Sequence, residues 1–266
     1  MLTTSPTDLK RVIELKWVRE DTTYFQFPRL SLNPHLMHGV FTRQGGVSAS
    51  PFDSLNTSFS VDDQPEDVAA NLRKIKDTIG AQDLIHMNQV HGNDILVVHQ
   101  SDPDSHNKSF SADAMITNMP RVALLVKQAD CQGTIIYDPK KHVLANVHCG
   151  WRGNVQDILG RVASRMKREF GCKASDLEAA IGPSLGPCCA EFVTYRNIFP
   201  EVFERFMVDE NHFDLWALSS WQLENAGMRP ENIEVAGLCT RCRTDLFYSY
   251  RAEGNTGRFG TVAMLR

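Results

Sequence analysis

The amino-acid sequence predicts an α+β fold, in which mixed β-sheets are covered by helices. Short apolar runs rich in β-branched residues dominate the first half of the 266-residue chain, and helical periodicity is more frequent in the second half. The two kinds of segment alternate without the regular strand–helix–strand rhythm of a doubly wound parallel sheet. The chain also lacks the GxGxxG and GxxxxGK[ST] loops that often accompany that architecture.

Nine segments have the composition of β-strands. They are short, bounded by turn-forming residues, and rich in side chains that suit a pleated, half-buried surface. The predicted strands are residues 37–42, 84–90, 94–98, 122–127, 134–137, 143–147, 177–181, 233–238 and 261–265. An aromatic run at residues 247–250 also resembles a strand.

Four segments show the spacing of amphipathic helices. The first is predicted to be capped by Asp63, to carry Pro65 in its first turn and to end at Gly80. Gly171 and Gly227 are predicted to end the second and fourth helices. The second, third and fourth helices are predicted over residues 155–170, 192–206 and 215–226.

Composition and charge restrict the class of protein. The formal net charge is −4 and no dense Lys/Arg run occurs, which argues against binding to nucleic acid. No apolar run has the length of a membrane span or a signal peptide, so we expect a cytoplasmic protein. The longest polar stretch, residues 100–111, is a predicted surface loop, and no linker divides the chain, so we expect one domain over residues 1–266.

Three segments place a metal-ligand side chain among turn-forming residues at predicted strand ends. They contain His91 in QVHG, Cys131 in ADCQ and His148 in VHCGWRG. Two imidazoles and one thiolate suit Zn²⁺, and three protein ligands leave a fourth position open for water or substrate. The spacings between the three are long, unlike the CxxC pairs of structural zinc sites, so hydrogen-bonded structural roles stay open.

Two other functions are compatible with the same residues. Cys131 and His148 can form the nucleophile–base pair of a cysteine hydrolase, without a metal. A structural zinc in a non-enzymatic binding module is a further alternative, although an open ligand position argues against it.

Other motifs allow weaker hypotheses. Residues 42–48, TRQGGVS, can offer backbone N–H groups and the Arg43 side chain to an anion, or form an ordinary glycine-rich turn. Cys239 and Cys242 form a CxxC without a second pair at finger spacing, which favours an ordinary turn over a redox or zinc-ribbon role. Cys188 and Cys189 are expected to be buried or to line a pocket. The remaining histidines are interpreted as surface or packing residues: His35, His38, His86, His99, His106, His142 and His212.

The segments resemble, in order and over nearly the whole chain, the motifs of the YfiH/DUF152 family. That family was historically described as polyphenol oxidases or laccase-domain proteins. Its members are now viewed as purine nucleoside phosphorylases with accessory adenosine deaminase and methylthioadenosine phosphorylase activities. The matching pieces are FTRQGGVS (41–48), SLN (54–56), NQVHG (88–92), ADC (129–131), HCGWRG (148–153), AAIGPSLGPCCAEF (179–192) and YSYRAEGNTGRF (248–259).

The resemblance implies an α/β/β/α sandwich of mixed sheets and a zinc ion held by His91, Cys131 and His148. It implies that Arg43 contacts phosphate or nucleoside, and that the enzyme splits adenosine, inosine and related nucleosides into base and ribose 1-phosphate. Two departures concern the surroundings of the site, since Cys149 stands where Ala is common and Gln132-Gly133 where Leu-Pro is common. A copper phenol oxidase is chemically improbable, because multicopper enzymes need many histidines with HxH pairs and the chain has no HxH. A homodimer is a further hypothesis.

Overall fold

Two six-stranded β-sheets are stacked face to face, and helices cover their outer surfaces. The structure is a computed structural model, and it describes residues 14–99 and 110–266. The arrangement confirms both the α+β class and the α/β/β/α sandwich that the family resemblance implies. Most of the predicted polar loop at residues 100–111, and His106 with it, lies outside the described residues, and the one-domain organisation stays a prediction.

The first sheet has the strand order β1-β2-β3-β14-β7-β4. Neighbouring strands are antiparallel except for β4 and β7, which are parallel. Its strands are β1 (Lys16–Arg19), β2 (Thr23–Gln26), β3 (Leu36–Phe41), β4 (Asp83–His86), β7 (Val122–Gln128) and β14 (Phe259–Leu265).

The second sheet has the order β13-β10-β8-β9-β6-β5. Parallel pairs lie at both of its edges, β13 with β10 and β5 with β6, and the pairs between them are antiparallel. Its strands are β5 (Ile95–Val98), β6 (Ala114–Thr117), β8 (Gln132–Asp138), β9 (Val143–Cys149), β10 (Glu178–Ile181) and β13 (Ile233–Val235). A separate hairpin joins β11 (Met207–Asp209) to β12 (His212–Phe213).

Six α-helices and four short 3-10 helices are present in the described part of the chain. The α-helices are α1 (Pro65–Thr78), α2 (Trp151–Val155), α3 (Ile158–Phe170), α4 (Tyr195–Ile198), α5 (Leu215–Asn225) and α6 (Tyr250–Glu253). The 3-10 helices are Leu30–Leu32, Ala174–Asp176, Glu201–Phe206 and Pro230–Asn232. None of these helices is long and apolar enough to cross a membrane.

Alternation along the strands divides the core into layers. In β7, Leu124 and Val126 belong to the cluster between the sheets, which also contains Ile135 and Leu144 of the second sheet. Their neighbour Leu125 points outward and packs with the apolar face of α1. The corresponding outer face of the second sheet packs against α3. Burying both faces of each sheet explains why these strands are almost continuously apolar.

Several predicted boundaries are wrong, each for a local reason. The helix predicted over 155–170 is broken at Asp157, whose φ of 53° is left-handed and starts α3 as a separate helix. The helix predicted over 192–206 is only α4 and a 3-10 turn, because Pro200 removes a backbone donor. Asp63 does not cap α1, since its carboxylate instead accepts hydrogen bonds from Asn56 and the backbone N–H of Gln64.

Strand predictions err mainly in extent. The predicted strand 84–90 ends at His86, which leaves the segment with His91 outside the sheet. The predicted strand 233–238 ends at Val235, and the aromatic run 247–250 forms no strand and leads into α6. Strands β1, β2, β6, β11 and β12 had no sequence prediction.

Candidate metal centre

His91, Cys131 and His148 come together at one end of the sandwich. Their ligand atoms, one from each residue, all lie within 4.8 Å of one another. His148 lies in β9, opposite Gly133 of β8, and Cys131 immediately precedes β8. Cys131 and His148 are thus brought together by the pairing of β8 with β9, and His91 reaches them from the loop between β4 and β5.

Two of the turns that present these side chains have left-handed backbone. The φ angles of His91 and Asp130 are 59° and 94°, a region that non-glycine residues adopt only where surrounding contacts hold them. The Asp130 carboxylate accepts hydrogen bonds from the hydroxyls of Thr240 and Ser249 and from the backbone N–H of Arg251. The C-terminal loops therefore fix the turn that carries Cys131.

Asp113 organises the two histidines. Its Oδ1 accepts from His148 Nδ1 at 2.8 Å and from the backbone N–H of His91 at 3.0 Å. Its Oδ2 accepts from the N–H of Gly92 at 2.7 Å. The pKa of Asp113 is lowered, because these hydrogen bonds outweigh the effect of burial, so the carboxylate carries no proton and His148 Nδ1 must be the donor. His148 Nε2 is then left as the lone-pair nitrogen for a metal.

The thiol of Cys131 is strongly acidic in this environment. Burial alone would raise its pKa, but the neighbouring charge and hydrogen bonds of His148 and His91 lower it to about 6. Burial likewise opposes charge on His148, but Cys131 and Asp113 raise the pKa of that imidazole to about 9. Without a metal the pair is a thiolate with an imidazolium. A metal cation bound there takes the place of the proton.

The absence of a side chain at Gly150 lets Cys131 reach the histidines. A Cβ at this position would lie 2.7 Å from Cys131 Sγ and 3.6 Å from His91 Cδ2. We expect Gly150→Ala to displace the sulfur. For the nucleoside phosphorolysis that the family resemblance implies, kcat/KM should fall by about 100-fold, the cost of an ångström-scale misplacement at a reacting centre. Titration with zinc should show weaker binding.

The matched control for this prediction is Gly92→Ala. Gly92 adjoins another ligand, but its added Cβ would make only ordinary contact with Asp113 Oδ2, at 3.5 Å. Equal losses of zinc affinity in the two variants would contradict the steric explanation.

A cavity of about 520 Å³ opens onto His91, Cys131 and His148. Its wall contains apolar side chains, including Trp151, Leu185 and Phe192, next to polar residues of the sheet ends. Four cationic residues also line it: Lys127, Arg152, Arg251 and Arg258. Asp130 is the acidic residue of the wall in the described part of the chain, and its carboxylate is already hydrogen-bonded. The cavity therefore suits a small, partly aromatic molecule that carries or meets an anion.

The structure does not bring Arg43 to this cavity. Its guanidinium is 2.7 Å from the carboxylate of Glu253, donates to the carbonyls of Asp53 and Thr244, and lies over the ring of Tyr248. It lines a separate, shallow surface depression. The role that this placement supports is anchoring α6, whose first residues do line the cavity.

The loop at residues 42–48 is not an open anion cradle. The backbone N–H groups of Gln44, Gly46, Val47 and Ser48 donate to neighbouring protein oxygens. Added side chains at Gly45 and Gly46 would collide with the backbone of residues 21–22 and 54–55. The glycines therefore serve close packing, which corrects the hypothesis that they free N–H groups for an anion.

The two departures from the family motifs have local explanations. Gln132 is buried and ties β8 to α5, donating to the carbonyl of Leu215 and accepting from Ser219. Gly133 leaves room for the Gln128 amide, whose oxygen would lie 2.1 Å from an added Cβ. Cys149 packs in the apolar cluster under α3, on the opposite face of β9 from His148, as strand alternation predicts.

The other histidines and cysteines partly match their predictions. His38 is fully buried and accepts from the backbone N–H of Phe27, and His142 contacts the hydroxyl of Tyr137, so both have structural roles. Cys189 is buried as expected, but Cys188 is exposed, which is a correction. The CxxC does form a turn, over residues 240–242, while Cys239 itself pairs with Ser184 in an isolated bridge.

Sequence reasoning missed the residues that support and surround the three candidate ligands. Asp113 is the clearest, and the one available pattern was an acidic residue inside the apolar stretch SADAMIT. Arg152, Arg251 and Arg258 stand inside quoted motifs but had no assigned role. Lys127 ends a predicted strand, and nothing in the sequence shows that it lines a cavity.

Fold and site together define a double-sheet protein with a His₂Cys site at the mouth of a cavity. The chain belongs to the family described as multi-copper polyphenol oxidoreductase laccase, whose profile matches residues 37–266. A Bacillus subtilis protein named purine nucleoside phosphorylase YlmD is 32% identical over 85% of this chain and 87% of its own. A Deinococcus radiodurans purine nucleoside phosphorylase is 34% identical, with coverage of 85% and 87%. The crystal structure of YlmD from Geobacillus stearothermophilus superposes with a TM-score of 0.85 at 27% identity, covering 95% of this chain and all of that one.

Proposed function

We propose that the protein is a zinc-dependent purine nucleoside phosphorylase that acts on adenosine, inosine and related nucleosides. The observation that carries the proposal is one cavity that combines the His91–Cys131–His148 cluster with cationic and aromatic side chains. Relatives that align over most of the chain bear the name purine nucleoside phosphorylase.

The three residues fit a zinc ion by their chemistry. The set contains one thiolate and two imidazoles, and Asp113 holds one imidazole by the nitrogen that faces away from the cluster. When bound, zinc supplies Lewis-acid polarisation of a reactant atom. His91 is exposed, so the cluster has an open side toward the cavity.

The cavity wall can hold both reactants. Trp151 and Phe192 offer aromatic surface for a purine ring, and Arg152 lies over the Trp151 ring at 4.2 Å. Arg258 is the candidate cation for phosphate, because its half-buried side chain lines the cavity close enough to Cys131 for their charges to interact. The carbonyls of residues 256 and 257 anchor one of its nitrogens and so fix the direction of the guanidinium.

Phosphorolysis needs a bound phosphate and a proton for the departing base. A phosphate oxygen forms a bond to the anomeric carbon of ribose while the bond from that carbon to the purine nitrogen breaks. Arg258 holds the phosphate, and the wall around it excludes competing water. The base leaves with the electron pair of the broken bond and must receive a proton.

Lys127 is the candidate donor of that proton. Burial lowers the pKa of Lys127 to about 8, so the ammonium is present at neutral pH and gives up its proton more readily than an exposed lysine. We expect kcat to fall as pH rises through about 8. Lys127→Met should lower kcat by about 100-fold and remove this pH dependence.

Lys127→Arg tests whether Lys127 acts as a proton donor or only as a positive charge. Lys127→Arg keeps the positive charge but not a proton that leaves near pH 8, because a guanidinium stays protonated. A loss of kcat in Lys127→Arg with unchanged KM for phosphate supports proton donation. Full activity with the same pH profile would exclude it.

The proposed reaction is tested with the metal-replete protein, inosine or adenosine, and inorganic phosphate. We expect free hypoxanthine or adenine together with ribose 1-phosphate, formed only when phosphate is present. Base released equally without phosphate would indicate a hydrolase, and no product from either nucleoside would refute the proposal.

Two accessory activities belong to the same test. Conversion of adenosine to inosine without phosphate would reveal an adenosine deaminase, and methylthioadenosine serves as a third substrate in the phosphorolysis assay. Cytoplasmic location and a homodimer stay predictions from the sequence.

A further inference from the structure

A second cluster of metal-binding side chains lies outside the cavity. Cys188, Cys189, Cys239 and Cys242 converge from two loops, and their four sulfur atoms all lie within 4.8 Å of one another. Both the Cys188 and Cys189 sulfurs lie 3.6 Å from that of Cys242. None of the four lines the cavity at the His91–Cys131–His148 site.

The spacing of the sulfurs matches a tetrathiolate site. A zinc–sulfur bond of about 2.3 Å in tetrahedral geometry places sulfur atoms about 3.8 Å apart. The two measured separations fall close to this value and are far above the ~2.05 Å of a disulfide bond. Four cysteines with no other ligand type form a closed donor set of the kind found in structural zinc sites.

The fold holds the two cysteine loops side by side. Ser184 pairs with Cys239 in a parallel bridge, and the N–H of Thr240 donates to the Ser184 carbonyl. A side chain at Gly186 would collide with Trp216 and press on Cys239, so glycine is needed for this approach.

We propose that Cys188, Cys189, Cys239 and Cys242 bind a second zinc ion as a structural site. The paired cysteines supply the partner that the CxxC motif lacks at finger spacing. Cys188 and Cys242 are exposed while Cys189 and Cys239 are buried, so the ion lies at the surface with half of its ligands anchored in the protein.

The same loops support the turn that carries Cys131. The Thr240 hydroxyl donates to the Asp130 carboxylate at 2.7 Å, and the N–H of Leu185 donates to the Asp130 carbonyl at 3.0 Å. Zinc at the cysteine cluster would therefore fasten together the two loops that hold Asp130, without touching the substrate.

Metal stoichiometry tests the proposal. Mass spectrometry of protein purified under reducing conditions should find two zinc ions per chain in the wild type. The Cys188→Ser/Cys242→Ser variant should retain one, and Cys131→Ala should also retain one but a different one. Cys172→Ala, a buried cysteine outside both clusters, is the matched control and should retain two.

A conservative variant distinguishes the loss of a zinc ligand from zinc loss caused by misfolding. Cys242→His offers another zinc ligand and should keep the second ion, while Cys242→Ala should lose it. With cobalt in place of zinc, the thiolate charge-transfer absorption should drop strongly in Cys188→Ser/Cys242→Ser and only weakly in Cys131→Ala.

Two results would overturn the inference. One is a wild-type protein with a single zinc that Cys131→Ala removes and Cys188→Ser/Cys242→Ser does not, which leaves the proposed phosphorylase intact. The other is fewer than seven free thiols in the denatured, metal-stripped protein, which would show that the cluster cysteines form a disulfide. A wild-type protein whose single zinc is removed by Cys188→Ser/Cys242→Ser and not by Cys131→Ala would instead support the cysteine site and count against the zinc-dependent phosphorylase.

Discussion

Replacing Cys131 by alanine is expected to remove the zinc of the cavity site and to lower kcat/KM for phosphorolysis by about 1000-fold. That factor corresponds to the several kcal/mol of transition-state stabilisation that a Lewis-acid metal contributes. The measurement pairs zinc content with initial rates for inosine and phosphate.

The size of this effect follows from charge. Cys131 is the anionic donor among the three proposed ligands, and its lowered pKa of about 6 means that the thiolate predominates at neutral pH, where a metal has to displace only the proton of His148. The two remaining imidazoles are neutral donors when they bind metal, so a site without Cys131 loses both a ligand and the charge that balances the cation.

Cys149→Ala is the matched control, because Cys149 is a buried neighbour of the site on the opposite face of β9. It should retain zinc and most of the activity. The competing cysteine hydrolase makes the opposite prediction: a metal-free wild type in which iodoacetamide modifies Cys131 rapidly. That result, with activity independent of added zinc, would refute the metal site.

The three candidate ligands could be identified from the sequence because each stands among turn-forming residues at or near a predicted strand end, although His91 lies in a loop outside the sheet. Their partners could not, because those contacts form between distant parts of the chain. Arg43 shows the difference, since a glycine-rich loop after a strand resembles an anion site. Two of its partners, Thr244 and Glu253, lie about 200 residues away, and no local pattern indicates them.

The cysteine cluster escaped prediction for the same reason. Cys188-Cys189 and the CxxC are separated by about 50 residues, and each segment alone has the composition of an ordinary turn. They meet because β10 and β13, the strands that precede the two loops, are parallel neighbours and end at the same edge of the sheet. Strand order, unlike strand composition, is not written in a local pattern.

The architecture was more predictable than the element ends. Continuous apolar runs such as β7 and β9 mark strands buried on both faces, and this requires layers on each side. Residues 192–206 were misjudged because their aromatic residues have helical spacing but pack in a separate cluster as short turns. Tertiary packing there outweighs local periodicity.

Asp113→Asn is expected to weaken zinc binding by about 10–100-fold, although residue 113 is not one of the proposed ligands. The carboxylate holds His148 by Nδ1 and His91 by its backbone N–H through the same oxygen, Oδ1. Asparagine replaces one of the two carboxylate oxygens by an NH₂ group, which cannot accept a hydrogen bond. Either the imidazole of His148 or a backbone N–H therefore loses its acceptor. The activity lost at low zinc should return at high zinc, with kcat nearly restored.

The control for Asp113→Asn is Asp138→Asn at the far end of β8. Asp138 is also buried and accepts two backbone N–H groups, from Lys140 and Lys141, but it contacts no proposed ligand. Both variants should lose about 1–3 kcal/mol of unfolding free energy, the cost of an impaired buried acceptor. Only Asp113→Asn should also lose zinc affinity. If the two variants bind zinc equally well, Asp113 serves the fold alone, and the orientation of His148 must be set by the strand that carries it.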